Sequence, residues 1–106
     1  MAKIITNAIT HNMFIPHLKE WTLKNEVISS DDVKGELGSE FVNACGHSTD
    51  LINELTGLEL VKNRITNKAN IGDTIIVAQY NGPRLEEGAT SLPEGASLVF
   101  VKSVVE

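Results

Sequence analysis

The change in apolar spacing along the chain constrains its fold more than any other feature. From Ser29 to Gly57 the apolar residues return every three or four positions; on either side they come in short β-rich runs. In "SSDDVKGELGSEFVNACG", Val33, Leu37, Phe41, Ala44 and Cys45 fall on one helical stripe. Ser30 or Asp31 is placed to cap this helix, and Gly46 stands where a left-handed C-terminal residue belongs. A second helix is expected from Thr49 to Thr56, with Leu51, Ile52 and Leu55 inward and Gly57 at its end.

The flanking runs read as strands. "AKIITNAI" predicts one over residues 2–9 and "HLKEWTLKNEVIS" another, with a bulge or bend near Asn25. "LVKNRITN" and "DTIIVAQYN" predict two more around a turn at Asn70–Gly72, and "ASLVFVKSVV" a last one. Residues 82–95 are rich in Gly and Pro and read as a long loop. Loops of this length in a small domain are often lids or binding loops. The expected fold is α/β (α+β): one domain over residues 1–106, with a mixed sheet of about five strands flanked by helices.

Composition narrows the function. The 106 residues suit one modest core, and 42% are hydrophobic, enough to fold without staples. A single cysteine, Cys45, excludes an internal disulfide and fits a reducing compartment. No apolar run reaches membrane-spanning length and the N-terminus lacks a signal-peptide pattern, so a cytoplasmic protein is expected. A net charge of −5 argues against long nucleic acid as a partner. The charge is uneven, however. Residues 61–84 carry Lys62, Arg64, Lys68 and Arg84 against Asp73 alone, and the two arginines are the only ones in the chain. A small anionic ligand suits that stretch.

His47 stands in the seam between the two expected helices, in "CGHSTD". A lone histidine is more often structural or exposed than catalytic. This one precedes a helix N-terminus, where unpaired N–H groups and the helix dipole favour an anion, and Ser48 and Thr49 add hydroxyl donors. The spacing of His11, His17, Cys45 and His47 fits no metal-ligand pattern, so neither a metal nor another cofactor is expected. Cys45 reads as core and Trp21 as packing. There is no Gly-rich nucleotide motif and no nucleophile elbow.

Four motifs in order carry a resemblance: "NAITHNM" near the start, "GHST" opening a helix, "KNR", and "RLEEG" in the late loop. Over residues 3 to 105 the chain resembles the small anti-CRISPR ring nucleases of archaeal viruses, phages and integrated elements. The resemblance implies a homodimer that binds cyclic tetra-adenylate, the second messenger of type III CRISPR defence, across its two-fold axis. It implies cleavage without metal, in the host cytoplasm if the chain is virus-encoded. Residue by residue, it implies His47 as general acid and Glu87 as a carboxylate that orients the site or assists proton transfer. Arg64 and Arg84 would contact the phosphates. Asn7, Thr10 and Asn12 match the first motif, with Thr10 where the family has serine and His11 as a departure. Ser48 and Thr49 would complete the ligand contacts.

The chemistry this implies is RNA self-cleavage. A ribose 2′-OH sits beside the phosphorus it attacks, so the protein supplies alignment, charge stabilisation and a proton for the leaving 5′-oxygen. The alternative is a non-catalytic binding module that sequesters a cyclic oligonucleotide or acts as a viral regulatory protein.

Overall fold

The computed structural model describes all residues, 1–106. Its strands are β1 (Lys3–Thr6), β2 (Leu23–Ile28), β3 (Val42–Ala44), β4 (Thr74–Asn81) and β5 (Ser97–Val105). Its helices are α1 (Ser30–Leu37) and α2 (Thr49–Thr56), and a single 3-10 turn spans His11–Met13. The sheet runs β2-β5-β4-β1-β3. β1 is parallel to both β3 and β4, while β5 is antiparallel to β4 and β2. The result is the expected α+β domain with a five-stranded mixed sheet.

The central strands are apolar without alternation because both their faces are covered. Ile5, Ile76 and Ala78 point to one side, where Val33, Leu37 and Ile52 of the two helices meet them with Cys45 and Phe100. Ile4, Ile75 and Val77 point to the other, where Met13 and Phe14 close the core. Both helices therefore lie on one face, and the irregular chain between β1 and β2 covers the opposite one. Trp21 belongs to that second layer, its ring stacked on Phe14 at 4.8 Å between centroids. No helix is long and apolar enough to cross a membrane.

The first helix is shorter than its stripe predicts. It begins after Ser29, whose N–H and hydroxyl both donate to the Asp32 carboxylate (3.3 and 2.9 Å). It ends at Leu37, because Gly38 takes φ +71° and its N–H closes on the Lys34 carbonyl. Phe41, Ala44 and Cys45 continue the helical spacing by coincidence. Val42–Ala44 form β3 instead, a strand of three residues that is too short to display a period of two. Gly46 is not a left-handed helix terminus; Ser48 is the residue with φ +60°.

Two expected strands also differ. The second begins only at Leu23 and runs without a bulge, in register from Leu23 opposite Val105 to Ile28 opposite Phe100. Asn25 keeps its place by accepting a hydrogen bond from Ser103 Oγ (2.5 Å). Residues 60–67 form no strand. They do run beside β3, but asparagines make most of the bonds. Asn43 Nδ2 donates to the Val61 carbonyl (2.6 Å) and Asn63 Nδ2 to the Asn43 carbonyl (2.9 Å). The one backbone bond across to that neighbouring stretch runs from the Asn63 N–H to the Cys45 carbonyl (2.7 Å). The edge is thus tied by side chains rather than by a ladder.

Cys45 lies fully buried in the first core cluster, and burial pushes its thiol up from 9.0 to about 12. The folded state holds the thiol proton more tightly than the unfolded chain. The associated stability is therefore present below pH 9 and lost as pH climbs toward 12. At pH 8 a disulfide reagent should leave the native protein unlabelled and titrate one thiol per chain in denaturant. Rapid labelling of native protein would contradict this placement.

Candidate functional site

Three parallel strands, β3, β1 and β4, end on the same edge of the sheet, and the candidate site lies there. Ligands of open α/β sheets commonly bind beyond these carboxyl ends. Asn7 follows β1, the Gly46–His47 peptide follows β3, and Gly82 follows β4.

A cavity of about 740 Å³ opens at this edge. The start of α2 contributes His47, Ser48, Thr49 and Asp50; the segment beside β3 contributes Lys62 and Arg64. The β4–β5 loop contributes Arg84, Glu86 and Glu87. Six expected site residues (His47, Ser48, Thr49, Arg64, Arg84 and Glu87) therefore line one cavity. The loop reaches the cavity wall rather than merely joining two strands.

His47 is exposed, and its Nδ1 lies 2.9 Å from Ser48 Oγ. The Ser48 hydroxyl is turned to the imidazole and makes no capping bond, so no side chain satisfies the first turn of α2. Its N–H donors remain available to an anion. The cations are available too. The molecule's ion pair, Lys102 Nζ to Glu36 at 2.9 Å, joins β5 to α1 and leaves Arg64 and Arg84 unpaired. That bond holds the Lys102 ammonium above its ordinary pKa. In the cavity, Lys62, Arg64 and Arg84 are matched by Asp50, Glu86 and Glu87, so its walls are charged but balanced. No group of three or more His, Cys, Asp or Glu side chains is placed to share a metal ion.

A second cavity, about 370 Å³, adjoins the first and shares Gly46, His47 and Arg64 with it. Asn7 and Thr10 line this one, together with Met13, Ile65, Thr66 and Asn67. Asn12 lines neither: its carbonyl accepts from Lys68 Nζ at 2.7 Å on the 3-10 turn. The exposed His11 ring meets Trp21 in an edge-to-face arrangement, 6.2 Å between centroids.

Two glycines shape the site. A Cβ on Gly46 would stand 3.1–3.2 Å from Arg64 Cβ, Cγ and Nε, so this glycine lets the arginine lie across the wall between the cavities. A Cβ on Gly82 would meet Ala96 Cβ at 2.6 Å and its Cα at 2.9 Å, and φ is +151°. Beside it, Tyr80 Oη donates to the Pro83 carbonyl (2.5 Å) and pins the start of the loop. Gly82→Ala should cost about 1–3 kcal/mol and lower the melting temperature by roughly 4–8 °C per kcal/mol. A thermal melt followed by circular dichroism checks this, and an unchanged midpoint would mean that the loop root gives way freely.

Lys62, Tyr80, Asp50 and Glu86 also line the cavity, and the last three do not stand out in the sequence. Lys62 had a signal, as the first residue of "KNR" and a member of the basic stretch. Tyr80 had none, since one aromatic at a strand end reads as packing.

The same five-stranded mixed sheet with two helices is found in a family of small viral proteins. The chain belongs to the STIV B116-like family, whose model matches residues 3–96. Among solved structures it is similar to B116 of Sulfolobus turreted icosahedral virus, an archaeal virus protein. The TM-score is 0.75 at 26% identity, covering 98% of this chain and 99% of that one. No curated protein matches the sequence.

Proposed function

We propose that this member of a viral protein family is a metal-independent ring nuclease that cleaves cyclic tetra-adenylate and so counters type III CRISPR defence. One observation carries the reading: His47, Arg64, Arg84 and Glu87, from three separate segments, line a single cavity at the carboxyl edge of the sheet. In the proposed step a ribose 2′-oxygen bonds to the adjacent phosphorus, and the bond from phosphorus to the 5′-oxygen breaks. The 2′-hydroxyl gives its proton to water or, where Glu87 assists the transfer, to that carboxylate, and His47 delivers one to the leaving 5′-oxygen. The products are a 2′,3′-cyclic phosphate and a free 5′-hydroxyl. Arg64 and Arg84 stabilise the charge gathering on the phosphoryl oxygens. Glu87 orients the site or assists proton transfer.

The test is incubation of the protein with cyclic tetra-adenylate in EDTA, followed by chromatography. Conversion to dinucleotides supports the reading. A ring that binds and stays intact would make the protein a sequestering module, and a ring that does not bind would remove the ligand altogether.

The proposal includes a homodimer. A cyclic tetranucleotide has two-fold symmetry, and an isologous dimer shares it, so two His47 side chains would face opposite sides of the ring. Light scattering at micromolar concentration should give twice the 11.5 kDa of one chain. An active monomer would defeat this part of the reading.

A further inference from the structure

We propose that Asn7 is a positioning residue that holds His47 in place, rather than a contact to the ligand. The inference rests on the reading of His47 as the general acid. Asn7 Oδ1 accepts hydrogen bonds from both the Gly46 N–H (2.8 Å) and the His47 N–H (3.1 Å). Its Nδ2 donates to the His47 carbonyl (3.2 Å). One amide thus grips the chain on both sides of His47, across a sequence separation of 40 residues.

The location explains why a side chain is needed. The parallel pairing of β1 with β3 ends at Thr6 opposite Ala44. One residue later the backbones no longer pair, and the Asn7 amide takes over the task of the ladder. His47 itself is exposed, and its ring makes one polar contact, to Ser48 Oγ. Ser48 in turn has φ +60°, a conformation that a residue with a Cβ keeps only when its surroundings hold it. Asn7 fixes the peptide on the N-terminal side of this turn. The bond from the Ile52 N–H to the Ser48 carbonyl (3.0 Å) fixes the other. Both acceptor positions of Oδ1 are consumed, which leaves one Nδ2 proton free. That is a poor endowment for recognising a ligand and a complete one for orienting a peptide.

Two measurements test this, one of them independent of activity. In Asn7→Ala, hydrogen exchange at the Gly46 and His47 amides should accelerate, while amides in the body of α2 stay protected. Turnover of cyclic tetra-adenylate should fall roughly 10–100-fold, the scale of a small misplacement of a reacting group, with affinity changed by less than about threefold. Replacing the leaving 5′-oxygen with sulfur, which departs without a proton, should remove most of that loss, as it should for His47→Ala. Adding Asn7→Ala to His47→Ala should cost nothing further. Should the alanine variant fold poorly, Asn7→Asp keeps both acceptors but turns the donor to the His47 carbonyl into a carboxylate oxygen that repels it. Exchange at the His47 amide should again accelerate, and unchanged exchange there would count against the clamp.

Unchanged exchange at Gly46 and His47 would overturn the clamp. So would a loss of affinity with turnover intact, which would make Asn7 a ligand contact, or an equal loss on the 5′-thio substrate. If the wild type cuts nothing while the two amides loosen in Asn7→Ala, the nuclease reading fails and the clamp stands.

Discussion

His47→Ala should lower the turnover of cyclic tetra-adenylate by roughly 10²–10⁴-fold, the usual worth of a positioned acid, and leave binding far less affected. The imidazole is exposed and its ring makes one polar contact, to Ser48 Oγ, so its removal opens no cavity. Phosphate affinity on this account comes from the uncapped first turn of α2 and from Arg64 and Arg84, none of which the substitution touches. Single-turnover rates measured beside an equilibrium binding assay separate the two effects. Arg84→Ala should damage both, since its guanidinium is unpaired and lines the same cavity. If His47→Ala cuts at near the wild-type rate, the histidine is a polar residue filling the turn between β3 and α2.

A ring methylated on its 2′-oxygens should bind and remain whole. The proposed nucleophile belongs to the substrate, and methylation removes it while leaving every phosphate in place for Arg64 and Arg84. No substitution in the protein isolates the nucleophile so cleanly, because no side chain supplies it. Competition against unmodified ring reports binding, and chromatography reports cutting. Cleavage of the methylated ring would require attack by water or by a protein group, and would assign a different chemistry to the same cavity.

Local spacing encodes some elements of this fold, and long-range pairing decides the others. α2 was legible because Ser48, Leu51, Ile52 and Gly57 give it a start, an inward face and an end within one short segment. β4 and β5 were legible as unbroken β-rich runs. β3 was hidden because Val42–Ala44 owes its extended form to pairing with β1, while Phe41, Ala44 and Cys45 happen to prolong the α1 stripe. Residues 60–67 failed in the opposite sense. Their composition suits a strand, but Asn43 and Asn63 replace ladder bonds with side-chain ones.

At the site, residue type was more legible than placement. His47, Arg64, Arg84 and Glu87 stood out by residue type, and the fold brings them to one cavity. Thr10 and Asn7 fall in the neighbouring cavity, and Asn12 faces neither. The turning of the Asn7 amide toward His47 depends on which strand ends lie side by side. No local pattern announces that.

The most direct measurement of the central claim is the mass of the dinucleotide formed from cyclic tetra-adenylate in EDTA, read by mass spectrometry at early times. Attack by a 2′-hydroxyl rearranges bonds without adding atoms, so two symmetric cuts must yield a dinucleotide of half the ring's mass, carrying a 2′,3′-cyclic phosphate. The account predicts that half-mass product, with no oxygen drawn from isotopically labelled water. A dinucleotide already heavier by one water at the earliest times, or a ring that chromatography shows uncut beside folded protein, would contradict it.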